Sequence, residues 1–135
     1  HNVAHSFPTR RSSDLGFFLG GLVVLGSQQG WWLAPLVGGL SDKILLLGAT
    51  ALTGVVDNAA LTYLGSLIPD TSESFRYHLV AGAVAGGGLT LIANAPNPAG
   101  ASILRERFPD SVIAPGRLLV WAFPPTLVAL IAFWI

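Results

Sequence analysis

Residues 77–104 form the longest stretch of the chain without Lys, Arg, Asp or Glu. A helix crosses a bilayer with about 20 apolar residues, and this stretch exceeds that length. Its middle, however, reads Asn94-Ala95-Pro96-Asn97-Pro98, shortly after a triple glycine at Gly86, Gly87 and Gly88. Pro96 has no N–H to give to the Ile92 carbonyl, and Pro98 has none for the Asn94 carbonyl. Irregular backbone at membrane depth is tolerated only inside protein or along a cavity. The pattern therefore predicts a discontinuous membrane helix over 75–108. One helix runs from about 75 through the glycines to about 93, and the break lies at 94–97. A second helix continues to about 108, with Asn97 as its N-cap and Pro98 at its first position.

Composition supports the membrane setting. Hydrophobic residues make up 52% and charged residues 10% of the chain, against about 25% charged in an ordinary soluble domain. Too few polar side chains are present to cover a soluble fold of 135 residues. Net charge is zero, and no basic run carries interleaved aromatics, so nucleic acid is not an expected partner. With no Cys there is no disulfide framework, thiolate metal site or cysteine nucleophile. The triple glycine is not followed by Lys-Ser/Thr, which removes a phosphate-binding loop and leaves helix packing or a hinge. A catalytic triad has no support, because His78 is the only His beyond the first fifteen residues. No enzyme chemistry and no cofactor are expected.

Residues 1–15 differ from all that follows. They hold two of the three His and no apolar periodicity, and they lack the apolar core of a signal peptide. The segment SFPTRRSSDL resembles translated sequencing-adapter read-through. The segment is expected to be non-native or a disordered polar tail, and the native N-terminus is then missing.

Four further segments complete the reading of 16–135. Residues 16–26 are the end of an apolar membrane helix. Ser27-Gln28-Gln29-Gly30 is a polar break, and Trp31-Trp32 begins a short interfacial helix over 31–40. Residues 44–69 contain two apolar arms of roughly 13 and 11 residues around Asp57-Asn58, each too short to cross alone. They form either a re-entrant hairpin with Asp57 at its tip or one crossing with Asp57 in mid-span. Residues 112–135 are a final membrane helix, kinked at Pro124-Pro125, with Trp134 at the far interface. Arg105, Arg107 and Arg117 lie together in the 105–117 loop, while Lys43 and Arg76 are offset by Asp42, Asp70 and Glu73. By the positive-inside rule the 105–117 loop faces the cytoplasm.

Asp57 is the one carboxylate outside the loop clusters. An ionisable group within a membrane segment is a functional hypothesis by default. It can hold a proton, or lose it and bind a hard cation, which takes oxygen ligands. Asn58, Thr90, Asn94 and Asn97, with the Ile92 and Asn94 carbonyls, can supply those oxygens. Asp57, Asn94 and Asn97 are the expected contacts of Na⁺, with Pro96 and Pro98 making the helix break. The plainer alternatives are that Asp57 only caps the second arm and that the Asn/Pro segment is only a loop.

The segments VVDNAALTYLG (55–65) and AGGGLTLIANAPNPAG (85–100) together resemble the sodium/proton antiporters of the ion-transporter superfamily, whose wider relatives are arsenite permeases and citrate/dicarboxylate carriers. The resemblance covers 16–135. It implies an all-α, multi-pass protein of the bacterial inner membrane with two inverted repeats, each a re-entrant hairpin followed by a broken helix. This chain would be the C-terminal repeat, with the hairpin entering from outside. The expected partners are then the missing N-terminal repeat, the lipid bilayer and, as an allowed assembly, a second copy in a homodimer. The implied activity is Na⁺/H⁺ antiport, with both ions as cargo. An anion carrier for arsenite or a carboxylate is the alternative, and a non-transporting membrane scaffold is a third reading.

Overall fold

The structure is a computed structural model and describes residues 7–134. All regular structure among the described residues is helical. Seven α-helices follow one another: α1 (Phe7–Gly26), α2 (Gly30–Val37), α3 (Asp42–Thr53), α4 (Asn58–Ser66), α5 (Glu73–Gly86), α6 (Asn97–Leu104) and α7 (Pro115–Phe133). Two 3-10 turns, Arg105–Arg107 and Pro109–Ser111, join α6 to α7.

The core is the crossing of α3 and α5. Both helices present small residues to each other, so their backbones come close, as membrane helices do when no water drives them together. Leu46, Ala49, Thr50 and Thr53 of α3 are buried against Gly82, Ala83 and Gly86 of α5. A Cβ on Gly82 would stand 2.5 Å from the Leu46 carbonyl oxygen and 2.7 Å from the Ala49 Cβ. At Gly86 it would run into the Thr50 carbonyl. The Thr50 hydroxyl lies within hydrogen-bond reach of two carbonyls, Leu46 on its own helix at 2.9 Å and Gly82 across the interface at 3.1 Å.

The two helices run parallel. Ser74 Oγ donates to Asp42 Oδ2 at 2.6 Å where both begin, Thr50 meets Gly82 midway, and Thr53 lies by Gly86 where both end. Ser72 caps α5 by accepting from the Phe75 N–H at 3.0 Å. Between them α4 brings the chain back. Gly65 of α4 packs on Leu79, and Ile68 joins Leu45, Phe75 and Leu79 in one buried cluster. The α3–α4 pair thus starts and finishes near the same end of α5, with residues 54–57 at the other end.

α7 runs opposite to α5. Phe133 meets the Tyr77 ring edge-on at 6.4 Å, and Lys43 Nζ lies 4.8 Å from the Trp134 ring centroid. Leu118, at the opposite end of α7, faces Thr90 and Asn97 across a shared cavity. Tyr63 of α4 donates to the Val23 carbonyl of α1 at 3.3 Å.

The outer surface is apolar. Phe17, Trp31 and Trp121 are 82%, 81% and 74% exposed, and only Thr126 of α7 is buried. Burial of apolar area therefore cannot be what places these side chains, and so large an apolar surface calls for a non-aqueous neighbour. Among the described residues α7, with 19 residues, is the one helix long and apolar enough to cross a membrane, at roughly 28 Å. Gly16–Gly26 is apolar but shorter.

Several boundaries differ from those the sequence suggests. Helix α1 begins at Phe7, inside the segment read as a tail, with Pro8 in the first turn where a missing N–H leaves nothing unpaired. Residues 1–6 of that segment lie outside the described residues. Helix α2 stops at Val37, before Gly38-Gly39. Helix α5 stops at Gly86, seven residues short of the expected end, so the break covers 87–96. Glycine loses most conformational freedom in a helix, and three in a row leave little to hold α5 together beyond its packed face. The second half is also shorter: α6 ends at Leu104 and 3-10 turns take its place. Pro124 and Pro125 lie inside α7, which remains one helix from Pro115 to Phe133.

A candidate ion site where two helix breaks meet

The first break is 54–57. After Thr53 the chain closes in short turns, with the Gly54 N–H donating to the Ala51 carbonyl at 3.1 Å and the Val55 N–H to Leu52 at 3.0 Å. Asp57 then starts α4. Its Oδ1 accepts from the N–H groups of Ala59 at 2.9 Å and Ala60 at 3.2 Å, which answers two of the unpaired donors at a helix start. Its other oxygen, Oδ2, is buried and has no hydrogen-bond partner. Capping therefore accounts for one carboxylate oxygen and leaves the second available.

The second break is 87–96. Its N-terminal side closes with the Gly87 N–H donating to Val84 at 3.2 Å and the Leu89 N–H donating to Gly86 at 3.0 Å. Two carbonyls within the break are collected by one side chain. Asn97 Nδ2 donates to the Gly87 carbonyl at 2.8 Å and to the Thr90 carbonyl at 2.9 Å.

The two breaks are joined to each other. Thr90 Oγ1 donates to the Gly54 carbonyl at 2.8 Å and accepts from the Ala93 N–H at 3.2 Å. The Ala93 carbonyl in turn accepts from the Asn58 N–H at 3.0 Å. The Asn58 side chain rests on Gly87, where an added Cβ would stand 3.2 Å from Nδ2. Of the residues singled out from sequence, Asp57, Asn58, Thr90 and Asn97 thus belong to one connected assembly.

The assignments differ in detail. Asn97 does not cap α6: it is the first helical residue, Pro96 holds the cap position, and Pro98 follows within the first turn. The Asn97 amide turns back across the break because the carbonyls of Gly87 and Thr90 need donors in a buried place. The Asn94 carbonyl is not left free, since it accepts from the Asn97 N–H at 3.0 Å. The Asn94 side chain is half-buried, and the Ile92 side chain points outward at 60% exposure, so only the backbone of Ile92 is a candidate ligand. Gly54, Gly87 and Ala93, which tie the breaks together, act through backbone groups or the lack of a side chain. Only the triple glycine marked any of them beforehand.

Chemically the assembly offers one carboxylate, side-chain amides and backbone carbonyls. These oxygens suit a hard cation of low charge. Among the described residues no three His, Cys, Asp or Glu side chains come together, so no multi-ligand transition-metal centre is formed. A cavity of about 320 Å³ adjoins the second break, lined by Gly88, Thr90, Pro96 and Asn97 on one side and by Phe108 and Leu118 on the other.

No curated protein and no solved structure matches this chain. The model of one family, described as "Putative Na+/H+ antiporter", matches residues 3–135. A transporter of this kind moves its ions as substrates, uses no cofactor and is not an enzyme. With nearly its whole length matched, and with a membrane-length helix in its fold, the chain belongs to the Na⁺/H⁺ antiporter family so described.

Proposed function

We propose that this chain provides one half of a Na⁺/H⁺ exchange site, with Asp57 as the group that carries either the proton or the sodium ion. The observation that carries this reading is the second oxygen of Asp57: it is buried, unpartnered and set in the turn clasped to the second break. Coupling follows from competition. Na⁺ drawn to the carboxylate displaces the proton, and protonation from the other side releases Na⁺. Asn58, Thr90, Asn94 and Asn97, with the Ile92 and Asn94 carbonyls, make up the neutral surroundings. Thr90 and Asn97 contribute to their shape, because their polar hydrogens are engaged within the protein.

The proposal extends to topology. The α3–α4 pair is read as a re-entrant hairpin, supported by the shared cluster of Leu45 and Ile68, with Asp57 at its tip. A 12-residue α3 reaches roughly 18 Å, which carries the tip past the middle of a bilayer's hydrocarbon core. Residues 105–117 lie on the cytoplasmic side, and Lys43 and Trp134 lie at the opposite interface. The chain is read as the C-terminal member of an inverted repeat within the ion-transporter superfamily. The apolar outer faces of α1, α2 and α7 are left for lipid, the other repeat or a second copy.

An anion carrier is the weaker reading. The start of α4 is the natural anion site of such a hairpin, and the Asp57 carboxylate already occupies it through the Ala59 and Ala60 N–H groups.

The test is Na⁺/H⁺ exchange by the full-length protein in sealed vesicles, wild type against Asp57→Asn. The neutral amide keeps a capping oxygen and loses the charge, so exchange is expected to vanish while the protein still inserts. Exchange that survives the substitution would remove Asp57 from the mechanism.

A further inference from the structure

We infer that Thr90 is a positioning residue for the ion site: its hydroxyl fixes the 54–57 turn, and with it the free oxygen of Asp57, and it does not itself hold the ion. The inference rests on the reading of Asp57 as the ion-carrying group and adds what sets its affinity.

The geometry is a closed circuit. The Thr90 hydroxyl has one hydrogen, and it goes to the Gly54 carbonyl at 2.8 Å, at the point where α3 ends. The same oxygen receives the Ala93 N–H at 3.2 Å. The peptide of Ala93 then reaches back to the turn through its carbonyl, which receives the Asn58 N–H at 3.0 Å. Gly54 and Asn58 bracket Asp57 in sequence. The residues on both sides of the carboxylate are therefore held by a short piece of the second break, and one side chain closes the circuit. The Asp57 carboxylate is attached through Oδ1, to the N–H groups of the helix that begins behind it. Without the Thr90 hydroxyl the Gly54 side of the turn loses its hydrogen bond to the break, and the carboxylate shifts with it.

A hydroxyl whose proton is donated and whose oxygen already accepts a backbone N–H is a poor first choice as an ion ligand. It is well suited to joining two backbone segments that have no side chain of their own to offer, here Gly54 and Ala93. Valine has nearly the shape of threonine and lacks the hydroxyl. Serine keeps the hydroxyl and lacks the methyl group.

The experiment uses full-length protein in vesicles with a Val55→Cys reporter. Val55 is 67% exposed beside Gly54, residues 1–135 contain no Cys, and any Cys elsewhere in the full-length protein is first replaced by Ser. Two quantities are read: the thiol labelling rate in Na⁺-free buffer, and KM and kcat for Na⁺. Thr90→Val is expected to raise both the labelling rate and KM by about tenfold, the size that goes with losing hydrogen bonds at a buried site, while kcat changes less. Thr90→Ser is expected to restore both to within about twofold, since it keeps the same hydrogen bonds. If KM rises while labelling in the absence of Na⁺ stays at the wild-type rate, Thr90 ligates the ion directly and the inference is overturned. Unchanged KM also overturns it. Should Thr90→Val not be recovered from membranes, Thr90→Ala carries the same expectations. Asp57→Asn serves as the parallel control. Exchange surviving in that variant removes the underlying reading of Asp57, whereas loss of exchange there together with wild-type behaviour of Thr90→Val removes only the role of Thr90.

Discussion

Replacing Gly82 by Ala tests the close approach of α3 and α5, and Gly48→Ala is its control. Both glycines are inside helices, so each substitution brings the same gain of about 1 kcal/mol from helix propensity. They differ in what the new methyl group meets. At Gly48 there is nothing within 4 Å. At Gly82 the Cβ would stand 2.5 Å from the Leu46 carbonyl oxygen, 2.7 Å from the Ala49 Cβ and 3.2 Å from the Thr50 nitrogen. Two of these three are backbone atoms and cannot rotate away. Relief requires the helices to part by roughly 1 Å, which by itself forfeits up to half of each dispersion contact across the interface. Overpacking of this kind costs about 1–3 kcal/mol. Separation also breaks the Thr50–Gly82 hydrogen bond, worth about 0.6 kcal/mol between membrane helices. The two variants should therefore differ by about 2–4 kcal/mol, with Gly48→Ala more stable than wild type and Gly82→Ala less stable. Thermal unfolding in detergent, followed by the fluorescence of the four Trp residues, reads the order directly. Shifts of the same sign and similar size would show that the helices do not approach as described.

Asn97→Ala removes the donor that serves the Gly87 and Thr90 carbonyls and should lower stability by about 1–3 kcal/mol, measured by the same melt. Asn97→Asp should be worse at neutral pH, because a carboxylate would then face those two carbonyl oxygens. The α3–α4 geometry predicts that Asp42→Cys and Thr71→Cys are labelled by a membrane-impermeant thiol reagent from the same side of the membrane. Labelling from opposite sides would make the segment a single crossing.

Much of this arrangement can be read from residue types. Asp57-Asn58 between two short apolar arms and the Asn/Pro segment after an apolar run locate both breaks, because proline and the lack of charge act locally. The position where α5 ends is not local. Gly86 is packed against Thr50 from a different helix, and the Gly87 carbonyl finds its donor on Asn97, so the length of the break depends on tertiary contacts. The same cause explains Asn97. As an isolated residue before Pro98 it has the pattern of a cap, yet its amide answers a larger need ten residues upstream. Thr90 shows the limit from the other side: its residue type suggested an ion ligand, and only the placement of Gly54 and Ala93 shows what its hydroxyl is joined to. The parallel crossing of α3 and α5 has a partial sequence signature in Gly82 and Gly86, four residues apart, but the partner face of Leu46, Ala49 and Thr50 has none.

The circuit between the two breaks also sets an order in time. Gly54 and Asn58 are synthesised well before Thr90 and Ala93, the residues that complete their hydrogen bonds. At about 5–20 residues per second the nascent turn waits for several seconds before its partners leave the ribosome. The turn around Asp57 therefore cannot reach its final state as the chain emerges. Its hydrogen bonds to the second break are completed only after residues 87–97 have entered.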